Sequence, residues 1–167
     1  MSLPQFLFFC VFALVAVAIM AFGWYVVRAA RVDDGGEYPS RRLLARLARP
    51  GADRAELQRW AFYLHRISGV GLFMFLVMHV GDVSLYAISR ELYDEVHQVY
   101  GTTPMRVVEV LLLFGLLFHA LNGLRLIVVD IADLGLRAAT RGLYLVAGLT
   151  LVAGSAGGAV IMWPVFG

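Results

Sequence analysis

Residues 110–130 read VLLLFGLLFHALNGLRLIVVD, an apolar run long enough to lie mostly in lipid and broken at depth by one histidine, His119. Gly115 and Gly123 stand four residues before and after it. At about 3.6 residues per turn the three share one helical stripe. An imidazole between two patches without side chains is the shape that a flat macrocycle needs beside an axial ligand. The same pattern also serves a histidine that hydrogen-bonds to a neighbouring helix, with glycines that let helices pack. In either case a polar residue at membrane depth is a functional candidate. Arg125 and Asp130 follow where the segment should leave the hydrocarbon.

Composition agrees with a membrane setting. The chain has 167 residues, 60% of them hydrophobic and 16% charged, with a mean hydropathy of +0.77. A soluble domain of this size needs more charge on its surface. All 14 basic residues are arginine. No basic patch with interleaved aromatics appears, so no nucleic-acid partner is expected. Cys10 is the single cysteine, inside an apolar run. Disulfides, zinc sites and iron–sulfur ligation within the chain are thereby excluded.

Outward from the His119 segment, an all-α integral membrane protein of four transmembrane helices emerges. Residues 1–27 carry no charge and have no basic leader, and Trp24 and Tyr25 stand where interfacial aromatics belong, so about 4–27 reads as a retained span rather than a signal. Residues 31–59 form an Arg-rich linker: DDGGEYP is a turn, and RRLLARLAR (Arg41 to Arg49) is spaced for a short amphipathic helix. A second span covers about 61–88 and carries His65 and Arg66 at one end and His79 deep within. His65 and His79 are separated by roughly 21 Å at ~1.5 Å per residue. Residues 89–106 are poor in arginine; His97 reads there as a surface residue, and Thr103 and Pro104 as a helix start. The third span covers about 105–129. The last, 142–167, is uncharged, and Gly154 and Gly158, with Gly148, Ser155 and Gly157 beside them, give it a slender face for close helix contact. The arginine distribution places the 28–59 and 130–141 loops in the cytoplasm and both termini outside.

Chemistry narrows to histidine. No Ser-His-Asp set, paired buried carboxylates or phosphate-cradling loop is visible, so hydrolysis and phosphoryl transfer lack candidates. Neutral imidazoles are good axial ligands for haem iron. Buried histidines also serve proton relays, which normally recruit carboxylates as well; Asp82, Glu109 and Asp130 all fall near span ends.

These residues carry a resemblance. Leu64-His65-Arg66-Ile67-Ser68-Gly69 resembles the HRxSG/HRxTG signature of the succinate dehydrogenase/fumarate reductase cytochrome b membrane anchor. His119-x-x-x-Gly123-x-Arg125 ending in Asp130 is similar to its HxxxGxR…D pattern. Both occur in family order, FLVMHVGD and FHALNGLR look closest to actinobacterial members, and the resemblance covers about 60–165. It implies a three-helix haem- and quinone-binding core over 60–167 in a bacterial inner membrane, with a flavoprotein subunit, an iron–sulfur subunit and a second membrane anchor as partners. The chain would bind haem b, one or two, and help form a site for menaquinone or ubiquinone, without itself oxidising succinate. Carried over residue by residue, His119 is the axial ligand, and Arg66 lies near the quinone and propionates, where it suits a quinone-derived anion or a carboxylate. His65 and Arg125 are placed as propionate partners against ordinary snorkelling. His79, in the other half of the membrane, is a candidate ligand of a distal haem against a helix–helix hydrogen bond. Three departures stand out. Phe62 occupies the position of a family serine that contacts quinone, for which Ser68 is the substitute; Leu126 follows the motif arginine where histidine is frequent; and the 4–27 helix is additional. The anchor of another membrane dehydrogenase and a haem-free interaction protein or transporter are the rival readings.

Overall fold

The computed structural model describes residues 2–33 and 54–166. The amphipathic helix expected over Arg41–Arg49 lies outside the described residues. Among the described residues, five α-helices run in the order α1 (Leu3–Asp33), α2 (Arg54–Ile88), α3 (Arg90–His97), α4 (Thr103–Ile131) and α5 (Leu136–Phe166), with a 3₁₀ turn at Gln98–Gly101. No strand occurs among them. Four of the helices, all but the short α3, are long and apolar enough to cross a membrane. Leu14, Trp24, Leu111, Val152 and Val160 stand largely exposed on their outer faces. In water such a surface would aggregate, whereas in lipid it is the ordinary outside of a bundle.

Local rules explain the helix ends. Ser89 caps α3 by accepting from the Leu92 amide at 3.2 Å. Thr102, extended at ψ 148°, precedes a helix with proline in its first turn, as Thr103 and Pro104 foretell. The α4–α5 reversal places Asp133 at φ 45°, a left-handed conformation that a short polar side chain tolerates. Helix α2 begins at Arg54, ahead of the apolar run that starts at Ala61. The charged turn stays helical because its polar groups find partners within the bundle: Glu56 is buried, and Gln58 is bonded across to α4 and α5.

Packing is set by glycine. A Cβ on Gly154 would lie 2.5 Å from the Phe114 ring, one on Gly157 2.6 Å from Leu113, and one on Gly158 3.2 Å from Val110. Helices α4 and α5 are therefore as close as their backbones allow, on the Gly154/Gly158 face foreseen from the sequence. Gly148 and Ser155 do not share that contact. Gly148 faces open space and Ser155 is exposed, since each is rotated by about 100° or more from Gly154 around the helix. Helix α1 lies along α2, with Gly23 against Ile67 and Gly71 against Ile19. It is tied at its start by Gln5 Nε2 donating to the Glu95 carbonyl at 3.0 Å and by Phe8 tilted on Tyr100. The end of the bundle holding Gln58, Arg125 and the α4–α5 turn is termed proximal below, and the end holding α3 distal. The first residues of α1 and the last of α5 are both distal, because Arg106 at the start of α4 donates to the Ile161 carbonyl.

Candidate functional site

The two motif histidines, 54 positions apart, meet face to face. The rings of His65 on α2 and His119 on α4 stack with centroids 4.0 Å apart and an interplanar angle of 3°. Two glycines make this possible. A Cβ on Gly69 would stand 2.7 Å from His119 Cε1, and one on Gly123 3.2 Å from His65 Cε1. Each helix thus supplies a smooth patch for the other's imidazole, which gives the glycines of both motifs a steric reason. Gly115, the other glycine of the stripe, faces open space and lines a cavity of about 330 Å³ between α1, α2 and α4 that Ser68 also borders. Of the two bare patches expected beside His119, one is open and the other is filled by His65.

The hydrogen bonds fix which nitrogen of His119 is available. Nδ1 lies 3.1 Å from the His65 carbonyl oxygen, which can only accept, so Nδ1 carries the proton. Ser68 Oγ donates to that same carbonyl at 3.0 Å and receives the shared Nδ1–H at 3.3 Å. The lone pair of His119 therefore sits on Nε2, and the ring is oriented by backbone, as metal-binding histidines usually are. His65 Nδ1 is buried without a partner.

Arg125 closes the proximal end. It is 8% exposed, donating to Gln58 Oε1 at 2.8 Å and to the Ala139 carbonyl at 3.3 Å, with Gly142 against its stem. Gln58 also donates to Thr140 Oγ1 at 3.4 Å. This guanidinium ties α2, α4 and α5 together rather than reaching outward to water, and its Nε remains unpartnered. Arg66 is exposed and lies 5.5 Å over the Phe62 ring. His79 is exposed on α2, stacked on Phe75 at 5.7 Å, and stands apart from the His65–His119 pair. Exposed His97 stacks on Tyr93 at 5.0 Å.

The sequence pattern marks neither Gln58 nor Asn122. Asn122 is 0% exposed, and neither of its amide atoms has a partner; an uncharged amide inside an otherwise apolar span is the signal that could have flagged it. No group of three or more histidine, cysteine or carboxylate side chains gathers among the described residues. The chemistry available at the proximal site is that of one oriented imidazole, a second imidazole stacked on it, a serine hydroxyl and two arginines.

A family model for the succinate dehydrogenase/fumarate reductase transmembrane subunit matches residues 39–157. The chain is 34% identical over 116 residues to the succinate dehydrogenase 2 membrane subunit SdhC of Mycobacterium tuberculosis, covering 68% of this chain and 85% of that protein. Helix α1 precedes the region matched by the family model. The paired motif histidines, the four apolar helices and these two matches together place the chain in the succinate dehydrogenase/fumarate reductase transmembrane subunit family.

Proposed function

We propose that this multi-pass membrane subunit is the cytochrome b anchor of a succinate:quinone oxidoreductase, holding haem b through His119 and helping to form the quinone site. The observation that carries the haem assignment is the orientation of His119, with Nδ1–H engaged by the His65 carbonyl and Ser68 and the Nε2 lone pair left for iron. Three further features fit a bound macrocycle: the bare surface at Gly115, the unpartnered Nδ1 of His65 and the unpartnered Nε of Arg125. His65 and Arg125 are the candidates to meet its propionates. When bound, haem b supplies a one-electron carrier within the membrane. Arg66, at the proximal boundary, presents a fixed positive charge where an iron–sulfur partner would deliver electrons, and with Ser68 it would orient the quinone oxygen by hydrogen bonding. A flavoprotein subunit and a second anchor would complete the enzyme, with the proximal end in the cytoplasm of a bacterial cell and both termini outside.

The test is haem b content by pyridine haemochrome, per copy of this chain, in the detergent-purified complex. His119→Ala is expected to abolish the proximal haem. Wild-type haem content in that variant would remove His119 as ligand. Loss of a second equivalent in His79→Ala would assign His79 to a distal haem, and unchanged content would return it to its stack on Phe75.

A further inference from the structure

The Ser68 hydroxyl stands where the two motif histidines meet. It has one proton to give and two lone pairs with which to receive. Its proton goes to the His65 carbonyl, one turn back on α2, at 3.0 Å. Across the helix contact it faces His119 Nδ1 at 3.3 Å, and that same nitrogen lies 3.1 Å from the His65 carbonyl oxygen. One carbonyl therefore accepts from two donors, Ser68 Oγ–H and His119 Nδ1–H. Two donors divide the electron density of a shared oxygen, so the strength of the bond from His119 depends on where the Ser68 proton points. Ser68 is half-buried and borders the apolar cavity beside Gly115, where it is the only polar side chain in the lining among the described residues. The residue is thus bonded on its inner side to the ring of His119 without being sealed from a ligand.

We propose that Ser68 couples quinone binding to the state of the haem ligand His119, an inference that rests on the haem and quinone functions proposed above. The hydroxyl proton is spent on the His65 carbonyl, so Ser68 donates to a quinone oxygen only by rotating about its Cβ–Oγ bond. No covalent bond breaks, and the proton stays on the oxygen. The rotation leaves the His65 carbonyl to His119 alone, and the bond from Nδ1–H strengthens. A firmer acceptor on Nδ1–H makes the imidazole a more basic ligand through Nε2, which favours oxidised iron and lowers the potential. Ser68 is a positioning residue in this scheme, acting on the iron through His119. The linkage is reciprocal, so oxidised haem favours quinone at Ser68 by the same factor. Phe62 gives the arrangement its point. With phenylalanine there, the hydroxyl left for the quinone is the one already bonded to the His119 ring.

The test is an anaerobic redox titration of haem b in the intact purified complex, with and without saturating 2-heptyl-4-hydroxyquinoline N-oxide, a redox-inert quinone analogue. Saturation is read separately from the block of succinate-driven quinone reduction, and the component followed is the one that His119→Ala removes. In the wild type the analogue is expected to bind the oxidised form at least ~5-fold more tightly than the reduced form, a fall of ~40 mV in midpoint at about 59 mV per tenfold. Ser68→Thr keeps the hydroxyl and should retain the shift, whereas Ser68→Ala should lose it while still holding haem. Ser68→Cys is the second variant. Its thiol is a weak donor and acceptor, so the shift should fall below half, and it decides the matter where Ser68→Ala does not assemble or does not take up the analogue. A shift of wild-type size in Ser68→Ala or Ser68→Cys overturns the proposal. A wild-type complex with haem b but no shift overturns the coupling alone; one without haem b overturns the haem reading as well, which separates the two failures.

Discussion

The ring of His119 depends on an atom that is missing. Because a Cβ on Gly69 would stand 2.7 Å from its Cε1, Gly69→Ala forces the imidazole off the His65 carbonyl that orients it. Disturbing such an orienting shell typically weakens metal binding by about 10- to 100-fold. Gly69→Ala is accordingly expected to assemble with at least ~10-fold weaker haem binding and an altered Soret band; an unchanged spectrum and content would show that ring position is unimportant. Arg125 gives a second prediction at this scale. Gln58→Ala removes the 2.8 Å acceptor of a buried guanidinium, at a cost of ~1–3 kcal/mol. A lowered melting temperature of the complex in detergent is expected, and an unshifted one would mean that the bond contributes nothing. Neither consequence could be read from the motifs. These identify His65, His119 and Arg125 as chemistry, but the stack of the two imidazoles and the capture of Arg125 by Gln58 join residues more than 50 positions apart.

Between elements, the α4–α5 contact was legible as a Gly154/Gly158 stripe, because small side chains are what lipid-embedded helices use to approach each other. How far that stripe extends was not. Gly148 and Ser155 share its composition and face elsewhere, since helix rotation rather than residue type decides who takes part. The difference can be measured. Gly154→Leu drives a side chain into the Phe114 ring, already 2.5 Å from the Cβ position, and is expected to cost ~1–3 kcal/mol or more through overpacking. Gly148→Leu, which meets nothing within 4 Å, is the control and should be neutral. Equal melting temperatures for both variants would refute the assigned contact. The start of α2 shows the same limit of sequence reading. A fall in hydropathy before Ala61 suggested a boundary, yet the helix continues back to Arg54 because its polar side chains are partnered inside the bundle.

For the whole molecule, four membrane-length helices place the two described chain ends on one side of the bundle and the α4–α5 turn on the other. In the orientation proposed above, the turn lies in the cytoplasm. In a Cys10→Ser background, a single cysteine at position 138 should resist an impermeant maleimide added to intact spheroplasts, whereas one at position 89 should react. Reaction of both from outside would refute the four-span topology; the reverse pattern would invert the orientation.

The sequence by itself determined the number of spans, the helical class, the family and the identity of the haem-ligand candidate. Each follows from a constraint that acts locally: lipid requires long uncharged helices, and a short motif holds its residues at fixed helical spacing. Tertiary structure alone decided that His65 rests against His119 over two glycines and that Arg125 is buried against Gln58. Those arrangements depend on the rotation and depth of one helix against another, which are set by close contacts summed over whole surfaces and leave no mark at any single position.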